Sequence, residues 1–393
     1  MKYRKFGKLD WEVSALGFGC MRLPVLDGKR NCIDIPTATR MIHSGIAGGI
    51  NYIDTAYAYH DGESEKLLGN ILTADHRRKV KLATKMPSWL IKEKGDFDVY
   101  FGEQLDRLKT DRIDFYLLHT LNQAYWENLV RLGILDWLQK TKEKGWIGAI
   151  GFSFHDEFRV FKRIIDEYEN WEFCQIQYNY LDVEEQAGLL GLKYAAERGL
   201  AVIVMEPLLG GKLAVPPPAI QSIFNSAESQ RSPVDWALQW IWGQPEVTVL
   251  LSGMTSPVHV KENLECAERS EVGSFSKSEG EVIRRVQDAF HQICPIPCTD
   301  CQYCLPCLYG ILIPQNFDIF NRGVMLDKLN SIIYNYKELD EGARASACQH
   351  CHECEDKCPQ RIPISDWMSY IQEVLGENRT YSCEEQPPQT RTN

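Results

Sequence analysis

Two groups of cysteines near the end of the chain are spaced in a way that suits metal chemistry. The first motif, CTDCQYCLPC, follows C-x2-C-x2-C-x2-C, and the second, CQHCHECEDKCP, follows C-x2-C-x2-C-x3-C-P. Three thiolates spaced like this can wrap a tight loop around an iron–sulfur core, and the fourth ligand must come from elsewhere. We therefore predict two [4Fe-4S] clusters. Their predicted ligands are Cys298, Cys301, Cys304, Cys307, Cys348, Cys351, Cys354 and Cys358.

The second motif is the run that bacterial ferredoxins use, in which the cysteine before proline ligates the other cluster. That resemblance implies that Cys358 completes the site of the first motif and that Cys307 completes the site of the second. The first motif departs from the pattern, because Leu308 stands where proline is expected. The crossed role of Cys307 therefore stays open, with Cys294 as a further candidate ligand.

Three other interpretations of these cysteines remain. Zinc is the competing metal, since paired C-x2-C motifs also form zinc ribbons, and His350 and His352 lie among the cysteines. A disulfide framework would need an oxidising compartment, and the N-terminus has no apolar export segment. Clusters can also serve only to stabilise a small domain that lacks a large core. Cys383, in the polar C-terminal stretch, is expected to be a bystander.

A second set of polar residues suits proton delivery to a carbonyl oxygen. A free phenol ionises near pH ~10, and an ammonium beside it stabilises the phenolate. Tyr59 next to Lys85 would therefore be a proton donor, with Asp54 keeping the lysine charged and His119 orienting the carbonyl. The hydride must come from a cofactor, because no side chain supplies one. Taken singly, each residue has a structural alternative: a helix cap, a solvated lysine, rim packing or a core histidine.

The elements that must bring these residues together are short apolar runs separated by helical patterns. Eight strand–helix units predict a closed parallel barrel, in which polar residues at the carboxyl ends of strands converge on one mouth. The opening residues 1–17 are expected to form a hairpin that closes the other end. The predicted strands are residues 13–19, 51–56, 80–86, 113–119, 147–153, 173–179, 201–207 and 247–253.

The predicted fold is thus α/β: a (β/α)8 TIM barrel followed by a mainly helical, ferredoxin-like iron–sulfur domain. We expect the barrel in residues 1–275, the 4Fe-4S domain in 276–375 and a disordered polar tail in 376–393. Helices are expected over residues 126–145 and 271–293. The phrases GILIP (310–314) and RIPI (361–364) follow the two cysteine motifs, which predicts a two-fold internal repeat.

Composition and charge exclude several classes of function. The 393 residues contain 43 Lys and Arg against 54 Asp and Glu, which gives a net charge of −11. An acidic chain without a basic stripe is a poor candidate for nucleic-acid binding. No window of the sequence is long and apolar enough for a membrane span. The expected compartment is the cytoplasm.

Four sequence motifs resemble the aldo-keto reductases. They are DTAYAY (54–59), ATKM (83–86), IDFYLLH (113–119) and GFSFH (151–155), and the resemblance covers about residues 1–270. It implies Tyr59 as general acid, Asp54 and Lys85 as the pair that tunes it, and His119 as the orienting residue. It also implies NAD(P), bound in an extended form across the barrel mouth without a Gly-rich Rossmann loop.

The resemblance further implies how the dinucleotide is held. Ser153 and Gln175 would bind the carboxamide, the loop 206–213 would wrap the pyrophosphate, and residues 252–263 would cover the adenosine end, with Glu262 and Asn263 near the adenine. The sequence departs from the family where Met205 replaces a stacking tyrosine, and where Gly253 and His259 replace cations that grip a 2′-phosphate. We therefore expect weaker NADP preference, NAD use or a partly abandoned pocket. The predicted cofactor-binding residues are Ser153, Gln175, Met205, Glu206, Pro207, Leu208, Gly210, Gly253, His259, Glu262 and Asn263.

The whole chain resembles the subgroup of aldo-keto reductases that carry a C-terminal 4Fe-4S domain. The predicted function is reduction of a small-molecule carbonyl, or oxidation of an alcohol, with electrons exchanged through two clusters. The electron partner would be a ferredoxin, a flavodoxin or another carrier. Trp89 and Trp126 are expected to form an apolar pocket wall. Two alternatives are a Schiff-base lyase that uses Lys85 and a non-catalytic redox sensor or regulatory subunit built on the same barrel.

Overall fold

The computed structural model describes residues 1–293, 296–325 and 329–381, which belong to two compact units. The first unit comprises Met1–Leu208 and Val234–Ser276, and the second comprises Leu209–Pro233 together with the chain from Lys277 onward. The second unit thus includes residues 209–233, which we expected in the barrel domain. Cys294, Cys383 and residues 382–393 of the expected tail lie outside the described residues. Within that expected tail, the ring of Tyr381 packs 5.7 Å from the ring of Phe320.

The predicted barrel is confirmed: eight parallel strands form a closed sheet, and the last strand pairs with the first. Their residues are largely buried on both faces, because helices cover the outside and side chains fill the inside. An antiparallel hairpin, β1 (Tyr3–Lys5) and β2 (Glu12–Ser14), precedes the barrel. The barrel strands are β3 (Leu16–Gly19), β4 (Tyr52–Asp54), β5 (Lys81–Met86), β6 (Ile113–Leu121), β7 (Ile147–Phe154), β8 (Phe173–Gln177), β9 (Ala201–Met205) and β10 (Val247–Ser252).

The hairpin closes the amino-terminal end of the barrel, as expected. Phe6, between β1 and β2, is fully buried, and its ring lies 4.7 Å from that of Phe115 and 5.6 Å from that of Phe173. Burial of one such side chain contributes roughly 1.5–3 kcal/mol. The single strand predicted over 13–19 is wrong in one respect. Residues 12–14 pair with β1, and the chain joins the barrel only after Ala15.

Helices connect the barrel strands on the outside. The predicted continuous helix over residues 126–145 is interrupted at Gly133, whose φ of 87° is left-handed and ends the first of two helices. Among the described residues, no helix is long and apolar enough to cross a bilayer. The helices up to this point are α1 (Ile35–Ala47), α2 (Glu63–Ile71), α3 (Ala74–Lys79), α4 (Asp96–Leu108), α5 (Gln123–Leu132), α6 (Ile134–Glu143), α7 (Phe158–Glu167) and α8 (Gly188–Glu197). The remaining ones are α9 (Pro218–Asn225), α10 (Pro233–Trp242) and α11 (Pro257–Ala267).

The second unit is mainly helical. Helices α13 and α16 each follow one cysteine motif, as the expected internal repeat requires, and the rings of Phe320 and Trp367 meet between them at 5.8 Å. The helix expected over 271–293 begins only at Lys277. The helices of this unit are α9 together with α12 (Lys277–Ile293), α13 (Ile313–Met325), α14 (Leu329–Glu338), α15 (Glu353–Asp356) and α16 (Ile364–Ile371), followed by a π turn, Gln372–Gly376.

Candidate functional site

Four buried side chains meet where strands β4, β5 and β6 end. Asp54 is the last residue of β4, Lys85 lies one residue before the end of β5, and His119 lies in β6. Tyr59 begins the 3-10 turn Tyr59–Gly62 that follows β4. These strands are parallel neighbours, so their carboxyl ends open on the same side. Each of the four side chains is at most 5% exposed, and the structure brings together all four residues predicted for proton transfer.

The ammonium of Lys85 organises this group. It donates to both carboxylate oxygens of Asp54, at 2.7 and 2.8 Å, and to the carbonyl oxygen of Thr55 at 2.7 Å. It also lies 3.3 Å from the hydroxyl oxygen of Tyr59. An ammonium in this position stabilises the phenolate that remains after a phenol gives up its proton. The arrangement therefore suits a proton donor at Tyr59.

Burial has the largest effect on the ionisation of this pair. It lowers the pKa of Lys85, and the contact with Asp54 opposes that shift. It raises the pKa of Asp54, and Lys85 opposes that shift in turn. Cys20, to which the sequence analysis gave no role, is also fully buried. Burial and the charge of Asp54 raise the pKa of its thiol far above the ordinary value, so two opposite charges and a neutral thiol share a site closed to solvent.

His60 fixes the turn that carries Tyr59. It has a φ of 53°, and the next residue, Asp61, has a φ of 55°, a conformation that costs of order 1–3 kcal/mol per residue. The buried imidazole offsets part of that cost. Its Nδ1 donates to the carbonyl of Arg30 at 2.7 Å, and its Nε2 accepts the N–H of Leu23 at 3.1 Å. Sequence reasoning missed His60 because both partners are distant in the chain.

His119 is placed to face a substrate as a neutral imidazole. Burial, followed by the nearby charges of Lys85 and His155, holds its pKa well below the ordinary value. Its ring lies 5.9 Å from the ring of Tyr59 and 5.1 Å from that of Trp89. Burial also lowers the pKa of His155, to about 4. A neutral imidazole between the phenol of Tyr59 and the indole of Trp89 suits the binding of a carbonyl group better than a charged imidazolium would.

The predicted carboxamide site contains a buried amide oxygen that lacks a hydrogen-bond partner among the described residues. This atom is Oε1 of Gln175, whose Nε2 donates to the sulfur of Met205 at 3.4 Å. The Oγ of Ser153, 1% exposed, accepts the N–H of Thr120 at 2.7 Å, which leaves its own hydrogen to donate. An unpaired buried acceptor costs roughly 1–3 kcal/mol. A carboxamide, with two donors and one acceptor, fits this pair of side chains.

The loop after β9 begins with a residue in the left-handed region, Glu206, whose φ is 54°. Its carbonyl accepts from Nδ2 of Asn179 at 3.2 Å, and its carboxylate lies 3.4 Å from the guanidinium of Arg22. Arg22 and Asn179 were missed in the sequence because their partner, Glu206, lies in a loop that is distant in the chain. Two further predicted residues of the loop differ in exposure: Pro207 is buried and Leu208 is half-buried. The last predicted residue, Gly210, lies in the 3-10 turn Leu209–Gly211.

The predicted adenosine end lies at the start of α11. His259 is in the first turn of this helix, where its N–H donates to the Oγ of Ser256 at 3.4 Å. Gly253 is exposed, and a Cβ built on it would lie 3.4 Å from the side chain of Arg22. Asn263 is buried and donates to the Oγ of Ser252 at 2.7 Å; the remaining predicted residue, Glu262, is half-buried on the same helix. Arg22 therefore supplies a cation next to Gly253. The departure of Gly253 and His259 from the family pattern did not predict this cation.

The first cysteine motif and the last cysteine of the second motif share one cavity. Its empty volume is about 300 Å³, open solvent included, and Cys298, Cys301, Cys304 and Cys358 lie on its wall. Burial raises the pKa of Cys298 to about 11, and it also raises the pKa values of Cys304 and Cys358. A cavity lined by four sulfurs fits an iron–sulfur cluster. The arrangement matches the crossed set that the ferredoxin pattern implied.

The other predicted set lies around Cys307. Burial raises the pKa of Cys348, and the neighbouring charges of Cys307 and Cys351 raise it further. Burial also raises the pKa of Cys354 to about 12, with Cys348 and Cys307 contributing. The structure therefore brings Cys307 to the second motif although Leu308 replaces the expected proline. No group of three or more His, Cys, Asp or Glu side chains is spaced to hold a single metal ion in residues 1–293, 296–325 and 329–381.

The prediction that Trp89 and Trp126 form an apolar pocket wall is wrong for Trp126. Trp126 is fully buried, and its Nε1 donates to Glu167 of helix α7 at 2.6 Å, with the ring of Trp171 at 6.0 Å. It is a core residue between helices. Trp89 is half-buried beside His119 and remains a candidate for the wall.

The geometry agrees with what comparisons with known proteins show. The Aldo/keto reductase family model matches residues 15–278, and a 4Fe-4S dicluster domain model matches residues 297–362. Among solved structures, the holo form of aldo-keto reductase AKR11C1 from Bacillus halodurans is similar with a TM-score of 0.60 and 26% identity. That similarity covers 73% of this chain and 96% of the other.

Two curated proteins illustrate the relatives in sequence. An uncharacterised oxidoreductase, YqkF of Bacillus subtilis (strain 168), is 26% identical over 302 residues, which cover 68% of this chain and 91% of that protein. The NADH-specific methylglyoxal reductase of Escherichia coli (strain K12) is 28% identical over 314 residues, which cover 67% and 93%. Taken with the closed barrel and its buried Asp–Tyr–Lys–His group, the matches show that this chain belongs to the aldo/keto reductase family and carries a C-terminal 4Fe-4S dicluster domain.

Proposed function

We propose that this oxidoreductase reduces a small-molecule carbonyl, or oxidises the corresponding alcohol, with a nicotinamide cofactor, and exchanges electrons through two [4Fe-4S] clusters. The observation that carries the proposal is the 3.3 Å distance between the Tyr59 hydroxyl and the Lys85 ammonium, with Asp54 behind it. A phenol beside a buried ion pair, at the rim of a closed barrel, is an arrangement for proton transfer to oxygen.

The side chains divide the work of this reaction. In the direction of reduction, Tyr59 donates its proton to the carbonyl oxygen, and Lys85 stabilises the resulting phenolate. The neutral His119 positions the same oxygen by a hydrogen bond. A bound nicotinamide would supply the hydride. In the direction of oxidation, the phenolate accepts the hydroxyl proton of the alcohol, so the same residues serve both directions.

The polar residues around the mouth favour NAD(H) over NADP(H). A 2′-phosphate is usually held by charge-assisted hydrogen bonds, each worth roughly 1.5–3 kcal/mol. Gly253 and His259 supply no such bidentate contact, and the cation near them, Arg22, already pairs with Glu206 at 3.4 Å. The similarity to an NADH-specific enzyme of Escherichia coli points the same way. On the substrate side, Trp89 next to His119 favours a carbonyl with an apolar substituent.

The cysteine-rich unit supports a role in single-electron transfer. We assign its eight motif cysteines to two sets, each of which draws residues from both motifs, as in two-cluster ferredoxins. After burial and the other cysteines of the first set, Cys354 of the second motif also raises the pKa of Cys304. Bound clusters would supply one-electron steps, and the partner would be a ferredoxin, a flavodoxin or a similar carrier. Anaerobic purification should give about eight iron and eight sulfide per chain, as two four-iron clusters require. A colourless zinc protein would contradict this.

The test of the proton-transfer role is the pair of variants Tyr59→Phe and Tyr57→Phe. Tyr57 lies two residues away in the same loop, and its hydroxyl donates to Glu103 at 2.7 Å, so each variant removes one phenol oxygen. Loss of a general acid reduces the rate by about 10²–10⁴-fold. We expect Tyr59→Phe to lose kcat on this scale and Tyr57→Phe to keep it within a few-fold. Equal turnover in both variants would exclude the proposed acid.

The Schiff-base alternative makes a different demand on Lys85. Burial lowers the pKa of this lysine, as a nucleophilic amine requires. However, its hydrogens are directed to Asp54, Thr55 and Tyr59, which leaves no lone pair facing a substrate. We therefore expect borohydride to trap no adduct at Lys85 when a carbonyl substrate is present. A trapped adduct, located by peptide mass spectrometry, would favour the lyase.

A further inference from the structure

A second buried carboxylate lies behind the proton-transfer group. Glu65 is on helix α2, directly after the turn that Tyr59 begins, and its side chain is fully buried. Its Oε1 accepts from Oγ1 of Thr84 at 2.6 Å and from Nε2 of Gln104 at 2.9 Å. Its Oε2 accepts from Nη1 of Arg107 at 3.2 Å. Burial raises the pKa of Glu65, and the three donors oppose that shift because they favour an ionised carboxylate, which only accepts.

Arg107, on helix α4, contacts the loop of Tyr59 on both sides of that residue. Its Nη1 donates to the carbonyl oxygen of Tyr57 at 3.1 Å, and its Cζ lies 4.0 Å from the centre of the Tyr57 ring. These contacts use the backbone and ring of Tyr57 rather than its hydroxyl. Gly62, at the end of the turn, has a φ of +90°, and a Cβ built on it would lie 3.1 Å from the same Nη1. The loop therefore packs on the guanidinium, which Glu65 anchors.

Gln104, on the same helix, holds the backbone of the other partner in proton transfer. Its Nε2 donates to the carbonyl oxygen of Lys85 at 3.0 Å as well as to Glu65. Its Oε1 accepts the hydroxyl of Tyr116 at 2.7 Å. Because both ends of this buried amide have partners, its orientation is fixed. The backbone of Lys85 is therefore held at a fixed distance from the carboxylate that also anchors the loop.

We propose that Glu65, Gln104 and Arg107 are positioning residues of the proton-transfer site. The carboxylate of Glu65 fixes the loop of Tyr59 through Arg107. The same carboxylate fixes the backbone of Lys85 through Gln104. Together these contacts set the distance between the phenol and the ammonium. The inference rests on the proposed function, which makes Tyr59 the proton donor. A displacement of about 1 Å in a reacting group can lower a rate by about 10²-fold, so such an anchor acts on the rate through the two groups that it holds.

The first experiment compares two arginines in the full, cluster-loaded chain. Arg107 and Arg77 are 21% and 25% exposed, and each pairs with a buried carboxylate and donates to a backbone carbonyl oxygen. Arg77, however, pairs with Asp114 near the amino-terminal end of strand β6, away from the mouth. With NADH and para-nitrobenzaldehyde, we expect Arg107→Ala to lose kcat by about 10–100-fold and to keep KM within roughly threefold. Arg77→Ala should keep both kcat and KM within roughly threefold of the wild type.

Chemical rescue distinguishes positioning from a general loss of stability. Arg107→Ala leaves a partly exposed space beside the carboxylate of Glu65 and the carbonyl of Tyr57. Guanidinium ion has the planar set of donors that these two oxygens accept. At millimolar concentration it should raise kcat of Arg107→Ala several-fold, whereas sodium chloride at the same ionic strength should not. Arg77→Ala should respond to neither salt.

A pair of glycine variants tests the loop without altering a charge. Gly62→Ala pushes the turn and the guanidinium apart. Gly133 has nearly the same φ, +87°, but a Cβ there would meet nothing within 4 Å, so Gly133→Ala adds the same backbone strain without a clash. The titratable side chains described around the phenol are the same in both variants: Asp54, Lys85, His119, His60 and Cys20.

The ionisation of Tyr59 reports its distance from the ammonium without substrate or cofactor. It is measured by the ultraviolet absorbance of tyrosinate during a pH titration, with each variant compared to the same variant carrying Tyr59→Phe. An opposite charge a few ångströms away shifts such an ionisation by roughly 1–3 units, and a partial displacement should remove a fraction of that. In Gly62→Ala we therefore expect Tyr59 to ionise at a pH about half a unit higher than in the wild type. In Gly133→Ala it should ionise as in the wild type.

The results distinguish a failure of positioning from a failure of the proposed function. If Arg107→Ala keeps kcat as Arg77→Ala does, if guanidinium acts no better than sodium chloride, or if Gly62→Ala titrates like Gly133→Ala, positioning is refuted and the proposed function stands. If Arg107→Ala does not fold, or if the wild type does not reduce the probe aldehyde, the glycine pair decides. If Tyr59→Phe turns over as fast as the wild type, the proposed function fails and the positioning role fails with it.

Discussion

Replacing Asp54 with asparagine should destabilise the barrel strongly, because it leaves a charge without its partner. Asp54 is 2% exposed and Lys85 is fully buried, and the carboxylate accepts two of the lysine's short contacts. Asparagine has nearly the same shape, so the variant removes the charge and little volume. Removing one member of a buried ion pair costs roughly 3–5 kcal/mol. For a domain of this size that corresponds to a fall in Tm of about 6–20 °C.

The loss of stability in the Asp54→Asn variant should also depend on pH. Without Asp54, the largest opposition to the effect of burial on Lys85 is lost, so the pKa of the amine in the folded state falls further below its unfolded value of 10.5. Between those two pKa values the unfolded chain binds more protons, and stability therefore rises with pH. The difference in the free energy of unfolding between the wild type and the variant should be largest near pH 6 and should shrink as the pH approaches about 10.

Thermal unfolding followed by tryptophan fluorescence measures this effect in the barrel. Trp367 is the only one of the 10 tryptophans that lies outside the barrel unit. A suitable control is Asp166→Asn, which removes an exposed carboxylate that pairs with Arg198 at 3.0 Å and with Lys162, and each such pair should cost at most about 1 kcal/mol. If the Asp54 variant melts within about 2 °C of the wild type, or if its deficit is the same at pH 6 and pH 9, the ion-pair reasoning is wrong.

Four further outcomes are expected. Cys358→Ala should lower bound iron from about eight to about four per chain, whereas Cys32→Ala, in the barrel unit, should leave it unchanged; equal iron in both would contradict the crossed set. His259→Arg should tighten NADP binding relative to NAD by about tenfold or more, as one charge-assisted bond allows. The pKa of His119 is far below its ordinary value, so kcat/KM should show no imidazole break between pH ~6 and ~7, and a break lost in His119→Gln would refute this. Trp89→Ala should raise KM for apolar substrates with less effect on kcat.

The barrel could be predicted because its determinants are local. Each strand is a short apolar run. The polar residues Asp54, Lys85 and His119 stand at or near the ends of three of these runs. Closure and register follow from the parallel topology. The helix break at Gly133 was missed because the apolar pattern continues across it, and only a left-handed φ reveals it.

Contacts between distant segments could not be read from the sequence. His60 is held by Leu23 and Arg30, and Arg22 pairs with Glu206. None of these pairs has a spacing that marks it as a contact. The assignment of residues 209–233 to the second unit has the same cause, since the partners of that segment, such as Glu279 for Arg231 and Ile296 for Lys212, are 48 and 84 residues further along the chain.

The crossed arrangement of the cysteines has a consequence for how the protein is made. The cavity that contains Cys298, Cys301 and Cys304 also contains Cys358, which a ribosome adds 54 residues after Cys304 (358 − 304). During synthesis, the three cysteines of the first motif therefore cannot be joined by Cys358 until those 54 further residues have been added. A chain that ended between the two motifs would lack the fourth cysteine of this cavity, so a cluster held by all four cysteines could be completed only after Cys358 has been made.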